Sequence, residues 1–171
     1  MKKYLKIIVP FIIVGLFCFM TYNIILKINH KKEVAESIEN IPKFQYQKLD
    51  GSNFSNKDLK ENIPTIFLYF NSDCDFCNHE AQEIKENIGK LNKFQIIFIS
   101  FEKQELIKAF SEKHKLDKYD NITFIYDAKV TFATTFDVKS LPSIIIYNSK
   151  NKLVGKLKGQ TKVSNILKKL E

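Results

Sequence analysis

The chain has no arginine and no tryptophan, so all 27 of its Lys-plus-Arg residues are lysines. Without a guanidinium there is no planar fork to grip bases or phosphates at two points. The formal net charge of +8 therefore needs another account, and its distribution gives one. Residues 1–32 hold six lysines and no acid, leaving 21 lysines against 19 Asp plus Glu in the remainder. The basicity belongs to the flanks of an apolar segment, where lysine meets lipid headgroups, and no nucleic acid is expected as a partner. Cysteine is scarce as well: Cys18, Cys74 and Cys77 are the only three. A zinc site needs about four ligands. Cys18 lies in the apolar segment and no second Cys/His pair has ligand spacing, so no metal site is expected. Internal repeats and low-complexity tracts are also missing.

From Ile7 to Leu26 runs an uncharged stretch of twenty residues, which as a helix spans about 30 Å, the thickness of a bilayer's hydrocarbon region. Lys2, Lys3 and Lys6 precede it, and Lys27, Lys31 and Lys32 follow. It ends Asn23-Ile24-Ile25-Leu26-Lys27 with no small-residue exit, so a retained anchor is expected rather than a cleaved signal peptide. Bulky Phe17 before Cys18 argues against a lipoprotein site. The expected organisation is an anchor over 1–26, a polar tether over 27–42 closing on Ile41-Pro42, and one folded domain over 43–171, large enough for its own core. Lysines are nearly balanced across the span and do not choose a side. A single N-terminal span ahead of a folded domain behaves as a signal anchor. The expectation is a single-pass protein of the cell membrane with its catalytic domain on the extracytoplasmic, periplasmic side.

Phe44 and Tyr46 alternate with Gln45 and Gln47 as in a half-buried strand, and Asp50-Gly51 marks a turn toward Phe54. A short helix is expected from Asn56. Thr65 to Phe70 is apolar on both faces, which is how a central strand covered on two sides reads. Phe94 to Ser100 is a second such strand. Leu106, Ile107 and Phe110 predict a helix over 102–114. A strand at 122–126 and a helix at 128–136 follow. After Leu141-Pro142 come strands at 143–147 and 153–157 across a polar turn, and Val163, Ile166, Leu167 and Leu170 predict a closing helix. Alternating strands and helices imply a largely parallel sheet, and the late hairpin adds an antiparallel edge. The fold class is a mixed α/β sandwich.

Cys74 and Cys77 stand between the strand at 65–70 and an amphipathic helix. A helix start exposes unpaired N–H groups and the positive end of its dipole, so a cysteine there is stabilised as the nucleophilic thiolate. At 100° per residue Cys77, Ala81, Ile84, Ile88 and Leu91 fall on one stripe. Cys77 is therefore expected to be buried and Cys74 accessible. This makes Cys74 the attacking thiol and Cys77 the resolving one. Glu80 sits about 60° from Cys77 on the same wheel, at the border of the buried stripe. A half-buried carboxylate there exchanges protons near neutrality.

A strand, Cys-x-x-Cys at a helix start, and a proline just before a hairpin strand together resemble the thioredoxin superfamily over roughly residues 43–171. The anchor, the early Asp50-Gly51 hairpin and the extra unit at 122–136 look most like its membrane-anchored, TlpA-type branch of thiol-disulfide oxidoreductases. The resemblance implies a thioredoxin-like three-layer sandwich with a mixed central sheet, preceded by one transmembrane helix. It implies a cis peptide before Pro142, packed against the dithiol, and a Leu141 backbone that hydrogen-bonds a bound peptide. That branch often carries an acid at the position of Glu80. Two residues depart from its pattern: Asp73 stands where tryptophan is common and Phe76 where proline is. Phe76 offers a replacement contact surface for substrate. Asp73 and Asp75 place negative charge beside Cys74, which disfavours a thiolate and so favours a reductant over an oxidant. Both acids also suit plain helix capping.

The leading expectation is an enzyme that reduces or exchanges disulfides of extracytoplasmic proteins. It needs no organic cofactor and draws electrons from another thiol donor. The alternative is a copper metallochaperone, since two thiolates suit Cu(I); His79 faces away from Cys77 on the wheel, and His114 is expected to end its helix on the last carbonyls. A peroxidase reading lacks a Thr or Ser three residues before Cys74, where Asn71 stands.

Overall fold

The computed structural model describes residues 2–170, with side chains over 12–170, as two units, Met1–Ser37 and Ile38–Glu171. The first is one helix, α1 (Lys2–Ser37), of which Ile12–Ser37 is long and apolar enough to cross a membrane. Its large apolar side chains from Ile12 to Ile28, Phe17 and Phe19 among them, are exposed. Thr21 and Asn23 donate their polar side chains to the helix's own carbonyls at Phe17 and Phe19, the back-bonding open to short polar side chains within a helix. The helix continues through the polar stretch to Ser37, where no Gly or Pro interrupts it and Lys32 and Glu36 lie 3.9 Å apart one turn from each other.

In the second unit β3 (Thr65–Tyr69) and β4 (Gln95–Ser100) are buried at every position, so both faces of the sheet must be covered. With β5 (Ile122–Tyr126) they form a parallel centre. The hairpin of β1 (Gln45–Lys48) and β2 (Asn53–Ser55) joins antiparallel beside β5. The hairpin of β6 (Ser143–Tyr147) and β7 (Leu153–Lys158) joins antiparallel beside β3. The order across the seven-stranded sheet is β2-β1-β5-β4-β3-β6-β7. This is the mixed sheet that the sequence pattern predicts, with a second antiparallel edge.

Two helices run on from Cys74, α2 (Asp75–Glu86), which carries Cys77, and α3 (Ile88–Leu91); the others are α4 (Gln104–Lys113), α5 (Thr131–Thr135) and α6 (Val163–Leu167). On one face of the sheet Ile66, Leu68 and Phe70 join Cys77, Ala81, Ile84, Ile107, Phe110 and Ile166 in one core. On the other, Phe67 and Tyr69 pack rings against Phe132, Phe136 and Tyr147. The cysteine stripe is continuous but its helix is not. Asn87 breaks it by donating its side chain to Glu83 O at 3.0 Å, the local competition with helix bonds that Asn favours. Helix α5 starts at Thr131 rather than Ala128, because buried Asp127 accepts from Thr131 N at 3.0 Å and Phe132 N at 2.7 Å. Val130 is left at φ +54° just before it.

Candidate active site

Strand β3 ends with Phe70 N donating to Ile99 O at 3.0 Å. The chain then turns: Asn71 Oδ1 accepts from Asp73 N at 2.9 Å and Asn71 O from Cys74 N at 3.3 Å. This sets Cys74 as the N-cap of α2, extended at φ −82°, ψ 116°, with its sulfur accepting from Cys77 N at 3.4 Å. Cys74 is thus placed just before the first helical residue, where its sulfur shares the Cys77 N–H with its own carbonyl, which accepts it at 3.0 Å. Its side chain is half-buried, whereas Cys77 is fully buried; both are free thiols. Burial pushes the Cys77 thiol well above its usual range. The hydrogen bond with Cys74 adds to this, the Asn71 N–H opposes it, and the negative charge of Glu102 contributes more weakly. The two sulfurs therefore differ in access and in ease of ionisation.

Glu80 lies deeper than its place on the helical wheel implies. It is fully buried, because the chain returning before α6 lies over it: Thr161 N donates to Oε2 at 2.7 Å, and Val163 N to neighbouring Glu83 at 3.0 Å. Its other oxygen, Oε1, is buried with no partner among the described residues. Burial raises the carboxyl to about 7, against the Thr161 hydrogen bond and with help from the Glu83 charge. A carboxyl so placed takes and gives a proton at neutral pH.

The Leu141-Pro142 peptide is cis. The Leu141 carbonyl lies 3.9 Å from Cys74 Sγ, directly across from the dithiol. Leu141 is half-buried and Pro142 buried, with Pro142 O accepting from Gly159 N at 2.8 Å. Phe76 is 61% exposed, on the first turn of α2. Cys74, Cys77, Leu141 and Pro142 are thus brought together, with Glu80 inside α2 and Phe76 on its surface.

The sequence model of the AhpC/TSA family matches residues 38–156. The chain belongs to the AhpC/TSA family. This AhpC/TSA member is 25% identical over 139 residues, 81% of its length, to a thioredoxin-like protein of Haemophilus influenzae, covering 80% of that protein. Two of the solved structures that share its fold illustrate the likeness. One is a secreted Mycobacterium tuberculosis disulfide oxidoreductase homologous to Escherichia coli DsbE, with TM-score 0.60, 20% identity, and 74% of this chain and 88% of that one covered. The other is a thiol-disulfide oxidoreductase of Bacteroides fragilis, with TM-score 0.63, 18% identity, and coverage of 77% and 99%. The fold of the AhpC/TSA chain is thioredoxin-like.

Three residues that the sequence pattern does not single out also meet at this site. Glu102 accepts from both the N–H and the hydroxyl of Ser72, and Asn78 holds the carbonyls of Ser72 and Cys74. Glu102 does carry one signal: it follows the carboxyl end of a central strand next to the one that leads into the cysteines, where open α/β sheets form their sites. His114 differs from expectation. It caps α4, but its ring Nε2 meets Asn78 Oδ1 at 2.9 Å instead of the last carbonyls. His79 is exposed. Among the described residues no three His, Cys, Asp or Glu form a metal-binding group.

Proposed function

We propose that this chain is a membrane-anchored, TlpA-type thiol-disulfide oxidoreductase that reduces or exchanges disulfides of extracytoplasmic proteins. The observation that carries the reading is the asymmetry of the dithiol: one half-exposed sulfur at a helix N-cap and one buried sulfur a single turn on. The thiolate of Cys74 attacks one sulfur of a partner disulfide. A mixed disulfide forms and the partner's other sulfur leaves as a thiolate, taking up a proton. Cys77 then loses its proton and attacks Cys74 Sγ. The intramolecular disulfide closes and the partner's second thiol departs. Two electrons and two protons pass to the partner, and a separate dithiol donor restores the site.

Glu80 suits the second step, in which a thiol held in its neutral form must give up a proton away from bulk water. A macromolecular substrate fits the surface: the large apolar side chains exposed in this unit are Phe76, Phe101, Leu106 and Val130. Phe76, Phe101 and Val130 follow the carboxyl ends of β3, β4 and β5, and Leu106 lies on the first turn of α4, which starts from that edge. The apolar length of α1 supports the anchor, and the oxidoreductase activities of the two similar solved proteins support the chemistry.

The test is trapping in cells. Cys77→Ser is expected to accumulate mixed disulfides through Cys74, and Cys74→Ser to accumulate none. Equal trapping by both variants, or none by either, would overturn the assignment.

A further inference from the structure

Every polar group of Ser72 is occupied. Its N–H donates to Glu102 Oε2 at 2.6 Å, its hydroxyl to Glu102 Oε1 at 2.8 Å, and its carbonyl accepts from Asn78 Nδ2 at 2.9 Å. Asn78 also reaches Cys74 O at 3.0 Å, and its own Oδ1 takes Lys113 Nζ at 2.8 Å and His114 Nε2 at 2.9 Å. The redox loop is thus gripped on two sides, from the β4–α4 connection through Glu102 and from the end of α4 through Asn78. Ser100, fully buried, braces Glu102 in turn: its hydroxyl donates to Oε2 at 3.2 Å and accepts from Glu102 N at 3.2 Å.

A carboxylate is specifically suited to this place. Ser72 presents two parallel donors and Ser100 a third, which two acceptor oxygens satisfy and a single amide oxygen does not. No lysine pairs with Glu102 among the described residues, so its charge is balanced by dipoles alone and remains as a fixed field. It is one of the charges that hold the Cys77 thiol in its neutral form.

We propose that Glu102 is a positioning residue of the redox site with two effects: it locks the loop carrying Cys74 through Ser72, and its carboxylate sets a negative charge close to the dithiol. That charge disfavours thiolates in the reduced state, so it favours the disulfide and makes the reduced protein a stronger electron donor. The inference rests on the dithiol reading above. It differs from a bracing role alone, which any hydrogen-bonding side chain of this length would fill.

The test is equilibration of the full chain in detergent with glutathione, together with the pH profile of alkylation by iodoacetamide. Glu102→Gln keeps the length and one acceptor oxygen but removes the charge. It is expected to shift the dithiol–disulfide equilibrium about tenfold toward the dithiol, raising the potential by about 30 mV, and to move alkylation to lower pH. Glu102→Asp, which keeps the charge, is expected to stay within about threefold of wild type, the scatter expected when a retained charge moves by one methylene. A Glu102→Gln equilibrium within twofold of wild type, or a shift toward the disulfide, would overturn the proposal while leaving the wild-type couple intact. A wild-type chain with no reversible couple would instead overturn the dithiol reading on which it stands.

Discussion

The lip of the redox loop and its underside are built on opposite plans. On the lip Asp73, Asp75 and Phe76 are exposed, and neither aspartate side chain makes a hydrogen bond or ion pair among the described residues. On the underside Ser72, Asn78, Glu80 and Glu102 are half-buried or buried, and each is hydrogen-bonded. Acids occur in both regions, yet they cannot do the same thing. Charges on the lip are screened by salt and meet whatever approaches. Those beneath are fixed in place, shielded from ions, and act on the sulfurs whether or not a partner is present. The lip is therefore suited to selecting a partner, and the underside to setting the chemistry.

The largest effect that would sharpen this contrast is at Glu80. Its folded-state carboxyl, at about 7, lies above its ordinary value of 4.5, so the folded protein holds this proton more tightly than the unfolded chain. The resulting stabilisation is fully present below about pH 4.5 and is lost as the pH rises through 7, on the order of 3 kcal/mol in all. Glu80→Gln is expected to flatten the dependence of thermal midpoint on pH over that window and to be more stable than wild type above pH 7. The same variant is expected to slow resolution of a trapped mixed disulfide at pH 7 by about tenfold, less than the full loss of a general base because water can take its place. Identical pH profiles for the two proteins would place Glu80 with the lip acids as a bystander.

A smaller effect is expected from the lip charges. Replacing Asp73 and Asp75 together by Asn should raise the reduction potential, but by only about threefold in the equilibrium with glutathione, or about 15 mV, because both acids are exposed. The shift should vanish in 0.5 M salt, where screening shortens to a few ångströms. A salt-independent shift larger than that of Glu102→Gln would break the division between lip and underside. The smallest effect is expected at Phe76: Phe76→Ser should raise KM for a protein disulfide a few-fold and leave kcat and the potential unchanged, since an exposed ring binds the partner without touching the sulfurs. A change in potential would contradict that placement.

The strands and the dithiol were legible because each follows from local pattern. Thr65 to Tyr69 and Ser143 to Tyr147 are continuous apolar runs with clear turn signals at their ends, and the burial of Cys77 follows from its interval to Ala81 and Ile84. The loop bracing was not legible, because Ser72 and Glu102 are 30 residues apart and Asn78 and His114 are 36 apart. No periodicity connects them. Glu80 was placed correctly on its helix but too near the surface, since the segment that buries it comes from 81 residues further on. The break at Asn87 and the late start of α5 have the same origin: single side-chain bonds, from Asn87 and to Asp127, override a pattern that runs smoothly through both places.

The start of the second unit carries a mechanical consequence. Ile38 O accepts from the buried Tyr147 hydroxyl at 2.9 Å, Glu39 O from Leu153 N at 2.9 Å, the Glu39 side chain pairs with Lys152 at 2.9 Å, and Asn40 bridges to Lys152. Tension applied to the chain at residue 37 is therefore taken up across β6 and β7 before it reaches β1. The load is spread over several bonds loaded together, so a tug on the N-terminal side strains a hairpin at the sheet's edge and leaves at rest the strands that lead into the Cys74 loop and Glu102.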